Sequence, residues 1–142
     1  MHELALAEGI VATALKEAER AGLKVTEICV RMGELQQIDE ELFKSVLRDI
    51  IKVEDERVRE AEVVFLKEEA VLRCRVCGHE WTFGESMGNL SEEDVELIHF
   101  VPEMAHIYIG CPECGSPDFE ITKGRGIWIE YIKGERWTPG SP

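Results

Sequence analysis

Apolar residues recur along this chain in distinct rhythms. From residue 2 to 21 they fall at Leu4, Ala7, Ile10, Val11, Ala14, Leu15 and Ala18, the spacing of one face of an α-helix. Glu3 and Glu8 lie early in this stretch, Lys16 and Arg20 late, and Gly22 follows as a terminator, all as helix polarity favours. Residues 24–32 then alternate. Ile28, Val30 and Met32 share one side, and Glu27, Cys29 and Arg31 share the other, which predicts a strand. The helical rhythm returns over 40–53 with Leu42, Phe43, Val46, Leu47, Ile50 and Ile51, and Asp39 stands where an N-cap is needed. Further strands are predicted over 60–67, around Val63 to Leu66, and over 127–132, Ile-Trp-Ile-Glu-Tyr-Ile.

Residues 71–122 lack long apolar runs and hold two cysteine pairs. Such a segment is expected to bury little by itself and to depend on a metal for stability. The late strand then has no good place to hide within it and should return to the first sheet. The predicted fold class is α+β. A small sheet with two helices is expected from residues 1–70 plus 123–133, joined through two crossings near 70 and 123 to an inserted, zinc-ribbon-like four-cysteine domain over 71–122. Residues 134–142, rich in Gly, Pro and Ser, read as a loose tail. Within the insertion, Ile107-Tyr-Ile109 reads as a short apolar strand preceded by a structural His106.

Composition narrows the function. The chain has 142 residues, 44% of them apolar, so a real core is within reach. Its net charge of −13 repels phosphate backbones and argues against a nucleic-acid partner. The first twenty residues carry several glutamates and no basic segment ahead of an apolar run, so no secretory signal is expected. No stretch approaches the about 20 apolar residues of a membrane span. The expected location is the cytoplasm, where thiols stay reduced and paired cysteines mean metal or redox chemistry. Cys29, alone in its strand, reads as a small buried hydrophobe. There is no GxSxG, HExxH or GxxxxGK[ST] motif, and no enzyme is expected.

The cysteines form two units, Cys74-Arg-Val-Cys77-Gly78 and Cys111-Pro-Glu-Cys114-Gly115. A two-residue gap lets one turn present both sulfurs to one ion, and the following glycine can adopt the positive φ that such a turn needs. Two such knuckles complete a closed tetrahedral shell, which suits structural Zn(II) rather than hydrolysis. A pair of redox dithiols and a rubredoxin-like iron centre share the pattern, as does a nucleic-acid-binding ribbon. Arg73 and Arg75 stand close enough in sequence to offset thiolate charge, and His79 directly follows the first knuckle.

The opening Met1-His2-Glu3 is a second candidate site. The Met1 α-amine with the amide and imidazole nitrogens of His2 can close adjacent chelate rings around one ion. All-nitrogen ligation of this kind suits square-planar Ni(II) or Cu(II). Amine and imidazole bind metal only when deprotonated, so affinity should fall below neutral pH.

These features occur together in one order. Met1-His2-Glu3 opens an amphipathic helix, Arg31-Met-Gly33-Glu34-Leu35 ends a strand, and Leu42-Phe43 lies on the second helix. Two CxxCG units follow, and Ile121-Thr-Lys-Gly124 leads into the last strand. The chain resembles the HypA/HybF family of hydrogenase maturation nickel metallochaperones over about residues 1–133. The resemblance implies a nickel-binding α/β domain at the amino terminus and a four-cysteine zinc domain. It implies His2 as a nickel ligand with Met1 and Glu3 in the same motif, and Cys74, Cys77, Cys111 and Cys114 as zinc ligands. It also implies delivery of Ni(II) to the large subunit of [NiFe]-hydrogenase, with a HypB-type GTPase as partner. The acidic insertion over 84–105 resembles the longer archaeal form of the family, which makes His99, in Ile98-His99-Phe100, a candidate extra nickel ligand. Whether the chain forms a homodimer is left open by its sequence.

Overall fold

The first apolar stripe closes into a helix in the computed structural model, which describes residues 2–36 and 38–137. In chain order the elements are α1 (Glu3–Ala21), β1 (Leu23–Gly33), α2 (Glu40–Lys52), α3 (Glu56–Arg59), β2 (Glu62–Glu68), β3 (Val71–Cys74), β4 (Glu80–Thr82), α4 (Phe83–Ser86), α5 (Glu92–Phe100), α6 (Ala105–Tyr108), β5 (Phe119–Lys123) and β6 (Ile127–Arg136). The class is α+β, and the chain divides into two compact units.

The first unit takes the chain up to Arg31, Ile38–Leu66, and the chain from Trp128 onward. Its sheet has the order β2-β1-β6, so the late strand does return to the first sheet. On α1, Ala7, Ile10, Val11, Ala14 and Ala18 are buried. The amino-terminal turn departs from the expected stripe: Leu4 is 56% exposed and Glu3 only 6%. Glu3 lies four residues before Ala7, on the same helical row, whereas Leu4 lies beside it. On α2, Phe43, Leu47 and Ile51 are buried, while Leu42, expected on the apolar face, is 49% exposed. The Asp39 carboxylate accepts from the Leu42 N–H at 3.0 Å, which is the expected N-cap. Cys29 is fully buried in β1 beside Ile28 and Val30. The strand is central in its sheet, between β2 and β6.

The last strand also departs from expectation. It runs to Arg136, and the Trp137 N–H donates to the Gly22 carbonyl at 2.9 Å. Residues 134–136 therefore belong to the sheet and not to a loose tail, and the rest of that tail, 138–142, lies outside the described residues.

The second unit comprises 32–37 and Lys67–Ile127. The chain thus passes between the units four times, near 31, 37, 66 and 127, where two crossings near 70 and 123 were expected. The added pair arises because Gly33-Glu34-Leu35 hydrogen-bonds within this unit. Gly33 N–H donates to Gly126 O at 2.8 Å, Glu34 N–H to Glu68 O at 2.8 Å, and Leu35 N–H to Gly124 O at 2.7 Å. The carboxylates join in: Glu34 Oε1 accepts from Ala70 N–H at 2.9 Å and Glu68 Oε1 from Gly124 N–H at 2.7 Å.

This unit has its own antiparallel sheet of order β4-β3-β5, with Leu72 opposite Trp81 and Cys74 opposite Phe119. It also has a core. Leu35, Leu72, Trp81, Phe83, Ile98, Ala105, Ile109 and Phe119 cluster and are buried. The expectation that 71–122 buries little is therefore corrected: the acidic insertion folds into helices that contribute Ile98 and Ala105. Residues 107–109 do not form a strand. Ala105–Tyr108 is one helical turn entered from a 3-10 turn at Pro102–Met104, and Ile107 is 68% exposed. A three-residue apolar run carries too little period to separate strand from helix.

Candidate metal centre

Cys74 ends β3, and the backbone turns back at once: Gly78 N–H donates to Cys74 O at 3.0 Å and Cys74 N–H to His79 O at 2.9 Å. The second knuckle repeats this closure, with Gly115 N–H to Cys111 O at 2.8 Å and Cys111 N–H to Ser116 O at 2.9 Å. Gly78 and Gly115 both have φ of 77°, the left-handed turn that glycine supplies without steric cost. The four sulfurs meet with all ligand atoms within 4.8 Å of one another. Cys74 Sγ lies 3.5 Å from Cys114 Sγ, and Cys77 Sγ lies 3.5 Å from Cys111 Sγ. A tetrahedron with metal–sulfur bonds of about 2.3 Å has edges of ~3.8 Å, so the donor set fits one thiophilic ion.

Electrostatics point the same way. The Cys77 N–H, followed by that of Val76, draws the Cys74 thiol down to about 6, with N···S distances of 3.5 and 3.4 Å. The His79 N–H also draws on Cys77, yet loss of water and the neighbouring sulfurs prevail and push Cys77 up to about 12. One thiolate is stabilised, while Cys77 and Cys114 beside it are pushed toward the thiol form. A divalent cation lifts that conflict by displacing the protons, which is the chemistry of a four-thiolate metal site. The N–H donors that steady Cys74 are backbone groups of its own turn, Val76 and Cys77, as a CxxCG knuckle leads one to expect.

Arg75 faces Asp118 at 3.5 Å and Glu120 at 4.0 Å, so its guanidinium is engaged by carboxylates. The His79 ring stacks on Trp81 with centroids 5.9 Å apart. His106 is structural, as expected: its ring stacks on Phe119 at 4.3 Å and Nδ1 lies 2.9 Å from Pro117 O. His99 sits on α5, half-buried, in T-shaped contact with Phe83 at 5.7 Å.

At the other candidate site, His2 is exposed and directly precedes α1, with its carbonyl accepting from Leu6 N–H at 2.9 Å. Glu3 turns inward, and its Oε1 accepts from Asp39 N–H at 2.9 Å. That donor is the first cause holding the Glu3 carboxyl down at about 2, far below its ordinary 4.5. Met1 lies outside the described residues.

The model of the family described as hydrogenase/urease nickel incorporation, metallochaperone, hypA matches residues 1–134. The chain belongs to the HypA family. Among HypA relatives, the hydrogenase maturation factor HypA of Thermococcus onnurineus is 46% identical over 138 residues, spanning 96% of this chain and 97% of that one. That of Pyrococcus abyssi is 46% identical over the same shares. The fold is that of solved HypA structures. The solution structure of the Ni metallochaperone HypA from Helicobacter pylori matches at TM-score 0.60 and 21% identity, covering 94% of this chain and 97% of that one. A second HypA solution structure matches at TM-score 0.65 and 20% identity, covering 96% and 98%. As a HypA family member the chain is a nickel metallochaperone of hydrogenase maturation and not an enzyme. No helix among the described residues is long and apolar enough to cross a membrane.

Proposed function

We propose that this chain carries Ni(II) on its first residues, holds Zn(II) in the four-cysteine shell, and delivers the nickel to the large subunit of [NiFe]-hydrogenase in the cytoplasm. The first unit is the nickel-binding domain and the second the zinc-binding domain. A HypB-type GTPase is the partner in delivery.

The observation that carries this reading is the HypA match beginning at Met1-His2 on a chain whose His2 stands exposed at the start of a helix. The Met1 α-amine and the His2 amide and imidazole nitrogens supply the chelate. Glu3 contributes its amide nitrogen, while its carboxylate, bonded to Asp39 N–H at 2.9 Å, positions the helix start. The chemistry is ligand exchange, and no bond of a substrate is made or broken. A chelate at a chain end can be dismantled by protonation or by displacement of one nitrogen, which reconciles retention with release.

Four thiolates hold either zinc or iron; zinc is the reading adopted because the family is one of nickel incorporation and not of electron transfer, and a redox-inert ion suits a structural shell. A red colour in protein isolated under air would favour the rubredoxin-like alternative.

The deciding experiment is nickel titration of the zinc-loaded protein and its His2→Ala variant, with metal analysis of both. Tight nickel binding disappears in the variant while zinc remains at one per chain. Undiminished nickel in His2→Ala rejects the assignment.

A further inference from the structure

We propose that the outer edge of β2, together with Lys44, Arg48 and Lys52 on α2, is a docking surface for an extended acidic segment of a partner protein, which adds as a strand beside β2. In the β2-β1-β6 sheet, β2 is an outer strand. One row of its backbone donors and acceptors has no neighbouring strand among the described residues, and such a row templates the pairing of another chain.

The basic residues of α2 lie over side chains of that strand. The Lys44 ammonium and the Arg48 guanidinium lie 5.2 and 5.3 Å from the centroid of the Phe65 ring. An open groove of about 270 Å³ is lined by Arg48, Ile51, Lys52, Ala61, Glu62 and Val63. As the helix advances from 44 to 52, its basic residues thus follow the strand from Phe65 back to Ala61. Four helical residues rise about 6 Å, and two strand residues about 6.7 Å. Carboxylates at alternate positions of an added strand therefore keep step with the three cations.

Charge selects the occupant. The chain has 16 basic and 29 acidic residues, so three cations at four-residue spacing on one helix row stand out against its overall sign, although α2 also carries Glu40, Glu41 and Asp49. Lys44 also meets Glu40 at 3.1 Å, and Glu62 is the one carboxylate lining the groove. Arg48 and Lys52 are exposed and form no ion pair with a described residue. A second copy of the chain brings another net charge of −13 over its whole surface, a larger long-range repulsion than one acidic strand meets. The apolar floor of Ile51, Ala61 and Val63 receives the methylenes of glutamate.

The test is fluorescence anisotropy of a labelled peptide, Glu-Thr-Glu-Val-Glu-Thr-Glu, with the full chain at low and high salt. The peptide binds at low salt and weakens as salt screens the charges, and a version with lysine for glutamate does not bind. Arg48→Glu with Lys52→Glu lowers affinity by about tenfold or more, and Arg48→Gln with Lys52→Gln serves if the reversal disturbs folding. Amide exchange in β2 slows when the peptide is bound. Equal binding by the folded double variants, unchanged β2 exchange, or equally tight binding of a single-stranded oligonucleotide of matched charge overturns the proposal.

Discussion

The carboxylate of Glu3 accepts a hydrogen bond from the backbone N–H of Asp39 at 2.9 Å. Asp39 is the N-cap of α2, and Glu3 is the first residue of α1, so one bond ties the starts of both helices. The residue that follows the proposed nickel-binding histidine therefore has a structural duty: it fixes where the exposed His2 begins its helix.

Replacing Glu3 with alanine should release that tie. The Asp39 amide, protected in the parent chain, then exchanges with solvent faster by roughly tenfold or more, since bonds to a charged acceptor are among the stronger ones. Amide exchange followed by NMR reads this directly. An unchanged Asp39 rate in a folded Glu3→Ala variant contradicts the role.

The Gly33-Glu34-Leu35 and Gly124 segments sit too close for side chains. A methyl group on Gly33 would overlap the Gly124 carbonyl, and one on Gly124 would run into the Ala70 backbone. Gly124 and Gly126 both have positive φ, but a methyl group on Gly126 meets nothing within 4 Å. Gly126→Ala should cost only the left-handed strain, about 1–2 kcal/mol. Gly124→Ala adds a backbone collision and should cost ~3 kcal/mol or more. Denaturant unfolding of the two variants checks the order.

Tyr131 donates to Glu27 Oε2 at 2.6 Å, and this bond to a carboxylate is the first cause pushing its phenol up from 10.0 to about 12. Folding thus favours the neutral phenol. The stability it contributes is present below pH 10.0 and is lost as pH rises through about 12. In a Tyr108→Phe background, which leaves Tyr131 as the only tyrosine, absorbance at alkaline pH should report the raised value. Adding Glu27→Gln should bring it back toward 10.0.

Metal removal should act unevenly on the second unit. The knuckle turns at 74–79 and 111–116 close on the cysteines, whereas Leu72, Phe83, Ile98 and Phe119 are buried against apolar neighbours. Acid or a strong chelator should strip the ion, because thiolate ligands must be deprotonated to bind it. Amide protection should then be lost first at the knuckles and persist in β3 and α5. Simultaneous loss throughout the unit would return the whole burden of stability to the metal.

An amino-terminal extension tests the proposed nickel site without altering a side chain. A fused tag converts the α-amine of Met1 into an amide and should weaken nickel binding, with the cysteine-bound metal unchanged. Superimposable titrations with and without the tag would exclude amine ligation.

What the sequence determined by itself was whatever depends on near neighbours. The 3.6-residue period marked α1 and α2, alternation marked β1, and the Asp39 cap was legible from its type and place. The cysteine spacing announced each knuckle because each is a local turn, and the matching pair of knuckles announced a shared ion, although their meeting is long-range. Tertiary structure alone decided the rest. Glu3 is buried and Leu4 exposed because the direction a helix faces is set by its packing partner. Ala105–Tyr108 became a helical turn because a short apolar run takes the conformation its neighbours impose. The second unit gained a core because Leu35, Ile98 and Phe119, far apart in the chain, meet in one cluster. Burial is a property of surfaces brought together across long stretches of chain, and no local pattern specifies which surfaces those will be.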